Sequence, residues 1–270
     1  MNSAANSLHL LTLVNALFLS VCAFVPSRYS GAVRVGRMAA VALTVFGMSG
    51  LLTRMGVAGH LPLFGTFENT YTASVALALL GAWHVLRRPD DMRDTWRLMA
   101  PWSAVLLVYG SFFRAEPIPL TISEQSLWVD VHVLFAWFAF AGFIHATSLS
   151  AVRLTGLRIS GIGMARIDTL LLQRLGVGFF ALSVMMAVGS WYLFILFGTF
   201  WRWEIVGTLT LVAWIAYSLI LHAILFRGWS GSKLDVAVVC AAPVTIAAFW
   251  IWSALPMTYH FFDIPFLRPY

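Results

Sequence analysis

The sequence predicts an all-α, polytopic transmembrane helix bundle of about eight helices, a single transmembrane domain over residues 1–270 with both termini on the outer, periplasmic side. Three observations predict it. The chain is 60% hydrophobic and only 10% charged, a balance that no soluble domain of this size keeps on its surface. Eight apolar runs separated by polar breaks are each about long enough to cross ~30 Å of hydrocarbon as a helix. Of the 17 Lys and Arg, 13 gather in alternate breaks, the asymmetry expected of cytoplasmic loops.

The first run, residues 8–25, has no basic leader and no small-residue cleavage site, so it reads as a retained helix rather than a signal peptide. The second (37–55) and third (67–86) are separated by an outer connection that includes GHLPLFG, and RRPDDMRDTWR then returns the chain on the inner side. The fourth, near 98–113, is short and carries Pro101, which predicts tilting or kinking. Outer loop RAEPIPLTISEQS leads into the fifth (126–149), and VRLTGLRISGIGMARID joins that to the sixth (172–196). Runs at 207–226 and 235–255 complete the set. Short inner loops predict antiparallel neighbours, and Gly47, Gly50, Gly176, Gly178 and Gly189 would let them approach closely.

Inner segments hold Arg28, Arg34, Arg37, Arg87, Arg88, Arg93, Arg97, Arg153, Arg158, Arg166, Arg174, Arg227 and Lys233, against Arg54, Arg114, Arg202 and Arg268 outside. The arginines sit at headgroup level and form no continuous stripe, so the lipid bilayer is the expected partner and nucleic acid is not. The reading is a multi-pass protein of the bacterial inner (cytoplasmic) membrane. Cys22 and Cys240 fall within predicted spans, and no C-x-x-C or C-x-x-C-H occurs, so they read as small buried residues. No G-x-S-x-G, H-E-x-x-H or phosphate loop is present, so nothing supports hydrolysis and catalysis is left open.

The stretch from Gly198 to His222 joins a water-edge aromatic cluster, Phe200, Trp201 and Trp203, to an apolar helix ending in histidine. Such a cluster can anchor a protein at the bilayer interface or stack on a flat macrocycle such as haem. The histidines bear on that choice. His60, His132 and His260 fall on the outer side, His9 opens the first span there, and His84, His145 and His222 lie near inner ends. Facing helices grip haem iron with paired imidazoles, and ionisable residues inside a membrane usually face the bundle interior. His132, His222 and His260 are the foremost candidates as iron ligands, followed by His60 and His145. Structural hydrogen bonding is the competing role for each, and interfacial snorkelling for His9 and His84. His132 and His145 lie about 20 Å apart along one helix and differ by about 140° around it.

Several segments together resemble the CcsA/CcmC-type cytochrome c assembly proteins, and the eight-helix CcsA branch most of all. GHLPLFGTFENTYTASVAL, from Gly59, looks like the family's G-H-x-P-x-x-x-x-Y-E segment, with Phe67 at the tyrosine position and Glu68 retained. EQSLWVDVHVLFAWFAF, from Glu124, looks like Q-S-x-W-x-x-x-H-V, with Trp128, His132 and Val133 in place. The stretch holding Asp168, Arg174 and Gly189 leads to GTFWRWE, which stands where the family has G-x-Y-W-x-W-D; His222, RGWSG and His260 follow in order. The likeness covers roughly residues 55 to 262. It departs at Glu204 for aspartate, at Phe197 for tryptophan, and at the apolar run Ile205 to Leu209, which replaces P-K-E-T-W.

The resemblance implies a periplasmic haem site with His132 and His260 as axial ligands and Trp201 and Trp203 along the macrocycle. His222 would belong to a deeper haem, whose second histidine comes from a CcsB-type partner or, here, from His145 or His84. Arg202 could pair with a haem propionate or with a lipid headgroup. The departures at Glu204 and beyond remove polar groups that would meet propionates or an incoming c-type apocytochrome. Three functions are open: presentation of non-covalent, b-type haem for cytochrome c biogenesis; a b-type electron-transfer subunit of a larger respiratory or photosynthetic membrane complex; and a haem-free structural membrane subunit.

Overall fold

A computed structural model describes residues 3–25, 29–87, 93–113, 115–116, 120, 124–156 and 166–250. Among them the secondary structure is helical throughout: α1 (Ser3–Ala23), α2 (Ser30–Ala58), α3 (Thr66–Arg87), α4 (Trp96–Gly110), α5 (Leu127–Thr155), α6 (Ile167–Phe197), α7 (Ile205–Arg227) and α8 (Gly231–Trp250), with one turn of 3-10 helix (Arg93–Thr95) before α4. Six of these, all but α3 and α4, are long and apolar enough to cross a membrane. The protein is therefore a multi-pass helical membrane protein. The chain forms two compact units, the first holding α1 to α4 and the second α5 to α8.

In the first unit α3 is central, packed against α2 and α4, while α1 packs on α2 and α4. It is also the most polar helix: Thr66, Glu68, Asn69, Thr70, Thr72, Ser74 and His84 are all buried. Several of these groups meet partners on neighbouring segments. Tyr71 OH meets Thr12 Oγ1 of α1 at 3.0 Å, Thr72 Oγ1 donates to the Pro62 carbonyl, and Ser74 and Ser103 exchange reciprocal 3.2 Å hydrogen bonds with α4. His84 bonds Thr95 just before α4. Buried hydroxyls so paired avoid the cost of naked polar groups in an apolar interior. Around this spine, Leu19, Leu43, Val75, Trp96 and Leu107 form the apolar core. The fourth helix is as short as its apolar run: α4 has 15 residues, with Pro101 inside.

Arginine placement is less peripheral than a headgroup role implies. Arg54 lies within α2, and Arg97 and Arg174 are buried in α4 and α6. Arg97 donates to the Ala23 and Val25 carbonyls at the end of α1, satisfying groups that a helix terminus leaves open. In the second unit, α5 packs against α6 and α8, and α7 packs against α8 and α6. The end of α5 is tied to the starts of α6 and α8 by Arg153. Its guanidinium clasps Asp235 with two bonds of 2.6 and 2.8 Å and reaches Asp168 at 2.7 Å.

Candidate functional site

Ser126 caps α5 by accepting the Trp128 amide, which starts the helix six residues before His132. His132 is half-buried, and its Nδ1–H donates to the Met185 carbonyl of α6 at 2.9 Å. An acceptor that is a carbonyl requires the proton on Nδ1, so Nε2 carries the lone pair. A backbone carbonyl holding one imidazole nitrogen and fixing the tautomer is also a feature of histidines that ligate metals. Gly189 makes the approach possible. A Cβ there would stand 2.7 Å from Nδ1 and 2.8 Å from Cε1 of His132.

The aromatic cluster lies about 14 Å further along, nine residues at 1.5 Å each. There α6 ends at Gly198, whose φ of 70° is left-handed and whose amide closes the last turn on the Phe194 carbonyl at 2.9 Å. A side chain at that conformation would be strained, so glycine sets the turn. Phe200 then folds back to stack on Phe194 at 4.4 Å, and Arg202 lies over the Phe197 ring at 4.4 Å. Trp201 and Trp203 meet edge to face, 5.9 Å apart at 75°. One indole can therefore offer its face to a flat ligand while the other offers an edge. Trp203 is 78% exposed, and the shielded indole N–H of Trp201 meets no acceptor among the described residues. Glu204 starts α7: its Oε1 accepts the Gly207 amide at 3.2 Å and its carbonyl accepts the Thr208 hydroxyl at 2.7 Å. The apolar run from Ile205 is thus still a capped helix start, with the cap supplied by the residue that replaces aspartate.

The other candidates occupy different surroundings. His222 lies on the exposed face of α7, its ring tilted against Phe226 at 4.7 Å. His145 is wholly buried within α5. His60, in the first unit, follows the left-handed Gly59 that ends α2; its Nδ1–H donates to the Leu61 carbonyl at 2.8 Å and its ring meets Phe64 edge-on. His260 lies outside the described residues. His9 and His84, expected at the interface, are engaged instead: His9 pairs with Ser111 and packs on Phe67 and Tyr71, and His84 is buried against Thr95.

Ionic contacts between segments were not anticipated from the sequence, among them that of Arg37 with Asp94 at 2.7 Å. Besides the Arg153 clasp, Arg54 and Glu68 form a 3.0 Å pair with side chains 4% and 3% exposed, and Arg54 also donates to the Ala115 carbonyl. The available signal was positional: both residues stand at the outer ends of consecutive predicted spans. Among the described residues no three His, Cys, Asp or Glu side chains converge as a bare metal site.

Comparison with known proteins agrees with this layout. The family described as "Cytochrome C assembly protein" matches residues 65–256. The chain is 25% identical over 197 residues to the cytochrome c biogenesis protein CcsA of Chlamydomonas reinhardtii, covering 68% of this chain and 55% of that protein. It is 31% identical over 86 residues to the CcsA of Synechococcus sp. (strain CC9605), and 32% identical over 85 to that of Synechococcus sp. (strain CC9311), each covering 32% of this chain and 28% of the relative. The chain thus spans about half the length of the algal relative it matches. With the match running from the start of α3 to the end of α8, the chain belongs to the cytochrome c assembly protein family.

Proposed function

We propose that the protein binds haem non-covalently at the outer ends of α5 and α6 and presents it for cytochrome c biogenesis, with His132 and His260 as axial ligands. One observation carries the reading: His132 gives Nδ1–H to a helix carbonyl, which leaves Nε2 as the lone-pair donor. The unmatched Trp201 N–H supports it, because a carboxylate such as a haem propionate supplies the missing acceptor. Trp201 and Trp203 provide one face and one edge against the macrocycle. Arg202 and Glu204 serve the loop itself, the first over Phe197 and the second as helix cap, and the Arg202 guanidinium is the propionate partner of this reading.

When bound, haem supplies the vinyl groups that form thioethers with thiols of a client apocytochrome. The chain's own residues bind the iron, fix the orientation and hold water away; no acid, base or nucleophile is required of them. His222 belongs to a second, deeper position. Its exposure on α7 supports a partner helix there, such as a CcsB-like subunit, since an imidazole is costly in lipid without one. His60 and His145 are secondary ligand candidates, His145 as an inner-level histidine of the bundle. Arginine distribution supports both termini outside and, in a bacterium, the cytoplasmic membrane.

The test is purification in mild detergent, measurement of iron porphyrin per chain, and incubation with a C-x-x-C-H peptide. Co-purified haem that is lost in His132→Ala and passes to the peptide is the expected result. Haem that cycles reversibly between redox states but never transfers would make the protein a b-type electron-transfer subunit. Preparations without a Soret band, even after haem loading, would refute haem binding.

A further inference from the structure

His132 is held by the backbone of a neighbouring helix, and that choice of partner constrains α6. In an α-helix the Met185 carbonyl receives the amide four residues on, that of Gly189. A carbonyl oxygen has a second lone pair, and His132 reaches it at 2.9 Å. Side chains normally wall off this lone pair. At position 189 the first carbon of any side chain would stand 2.7 Å from Nδ1, closer than non-bonded atoms pack. The imidazole, fixed to α5 and steered by two torsions, would have to swing away and surrender the bond.

We propose that Gly189 is a positioning residue for His132: its bare backbone admits the imidazole to the Met185 carbonyl, fixes the proton on Nδ1, and so makes Nε2 the nitrogen offered to a ligand. The ligand class is a Lewis acid that accepts one imidazole lone pair. Identifying that acid as haem iron rests on the function proposed above, whereas the tautomer does not.

The experiment is 15N NMR of histidine-labelled protein in lipid bilayers without haem, with the His132 signals assigned by their loss in His132→Gln. The wild-type protein should show a protonated, pyrrole-type Nδ1 and a pyridine-type Nε2. Gly189→Ala should lose that pattern for a mixture of tautomers. Two variants in the same helix separate positioning from general damage. A Cβ at Gly178 meets the Phe143 ring at 2.8 Å, a comparable crowding away from His132, and one at Gly176 meets nothing within 4 Å. Gly178→Ala and Gly176→Ala should keep the wild-type His132 signals. In haem-loaded protein, Gly189→Ala should weaken haem retention by about 10- to 100-fold, as loss of an outer-shell partner does, and shift its visible spectrum. A wild-type Nε2–H tautomer would overturn the proposal without recourse to any variant. Unchanged signals in Gly189→Ala, or equal changes in Gly178→Ala, would do the same. If the tautomer behaves as expected while His132→Ala leaves the haem spectrum untouched, the haem-ligand reading fails and the role of Gly189 stands.

Discussion

Replacing Asp235 by Asn isolates the strongest charge contact in the second unit. Asp235 is fully buried and takes two parallel bonds from Arg153, whose side chain is 14% exposed. Asp168 takes a single bond and is 48% exposed. Asp235→Asn keeps the shape but turns an NH2 group toward guanidinium donors and leaves a largely buried cation to one solvated partner. Removing one member of a buried pair costs about 3–5 kcal/mol; with Asp168 still attached, the lower end, about 3 kcal/mol, is expected. Asp168→Asn loses a solvent-screened contact and should cost about 0–1 kcal/mol. Replacing both members, Arg153→Met with Asp235→Leu, should cost far less than the two single changes together, because no charge is left stranded. Unfolding free energies from SDS titration in detergent micelles give all five numbers. Equal losses for Asp235→Asn and Asp168→Asn, or an additive double variant, would refute the burial argument.

His132→Ala should abolish the outer haem signal, read as the Soret absorbance per chain, while His145→Ala leaves it in place; an unaltered spectrum and midpoint potential in His132→Ala would remove it as a ligand. Trp201→Leu with Trp203→Leu keeps apolar side chains but removes the aromatic face and the indole N–H, so haem affinity should fall while helical content by circular dichroism does not; unchanged affinity would return both to membrane anchoring. Glu204→Ala should destabilise by about 1 kcal/mol through the lost cap, whereas Glu204→Gln keeps an acceptor and should be nearly neutral in thermal unfolding; equal losses would mean the charge, not the cap, is what matters.

Eight runs were legible in the sequence because the breaks between them are too polar to hide, although α3 and α4 lack the length and apolarity of the other six. The shortness of the fourth run was visible in the sequence itself. Charged residues were harder. Hydropathy and the positive-inside rule treat an arginine as a marker of the water edge, so Arg54 was counted with the outer segments, although α2 continues past it and Glu68 of α3 receives it. Contacts between helices far apart in sequence carry no local signature; the Arg153 clasp spans 82 residues to Asp235. At the candidate site, His132 was visible as an intramembrane histidine and through its family segment. What holds it was not, since a backbone carbonyl at Met185 leaves no mark in the sequence and Gly189 reads only as a small residue suited to close packing. The family match, over residues 65–256, falls within the stretch, roughly 55 to 262, that carries the motifs.

The polar spine of α3 has a consequence for biogenesis. A segment with a buried carboxylate, an amide, a histidine and five hydroxyls gains too little from hydrocarbon to partition there alone. Its sequence becomes acceptable to the bilayer only once Thr12, Arg54, Thr95 and Ser103 are at hand to absorb those groups. Chain synthesis must therefore hold α3 at the insertion machinery until its escorts on both sides have emerged, which makes the first unit a single cargo for insertion rather than two successive hairpins.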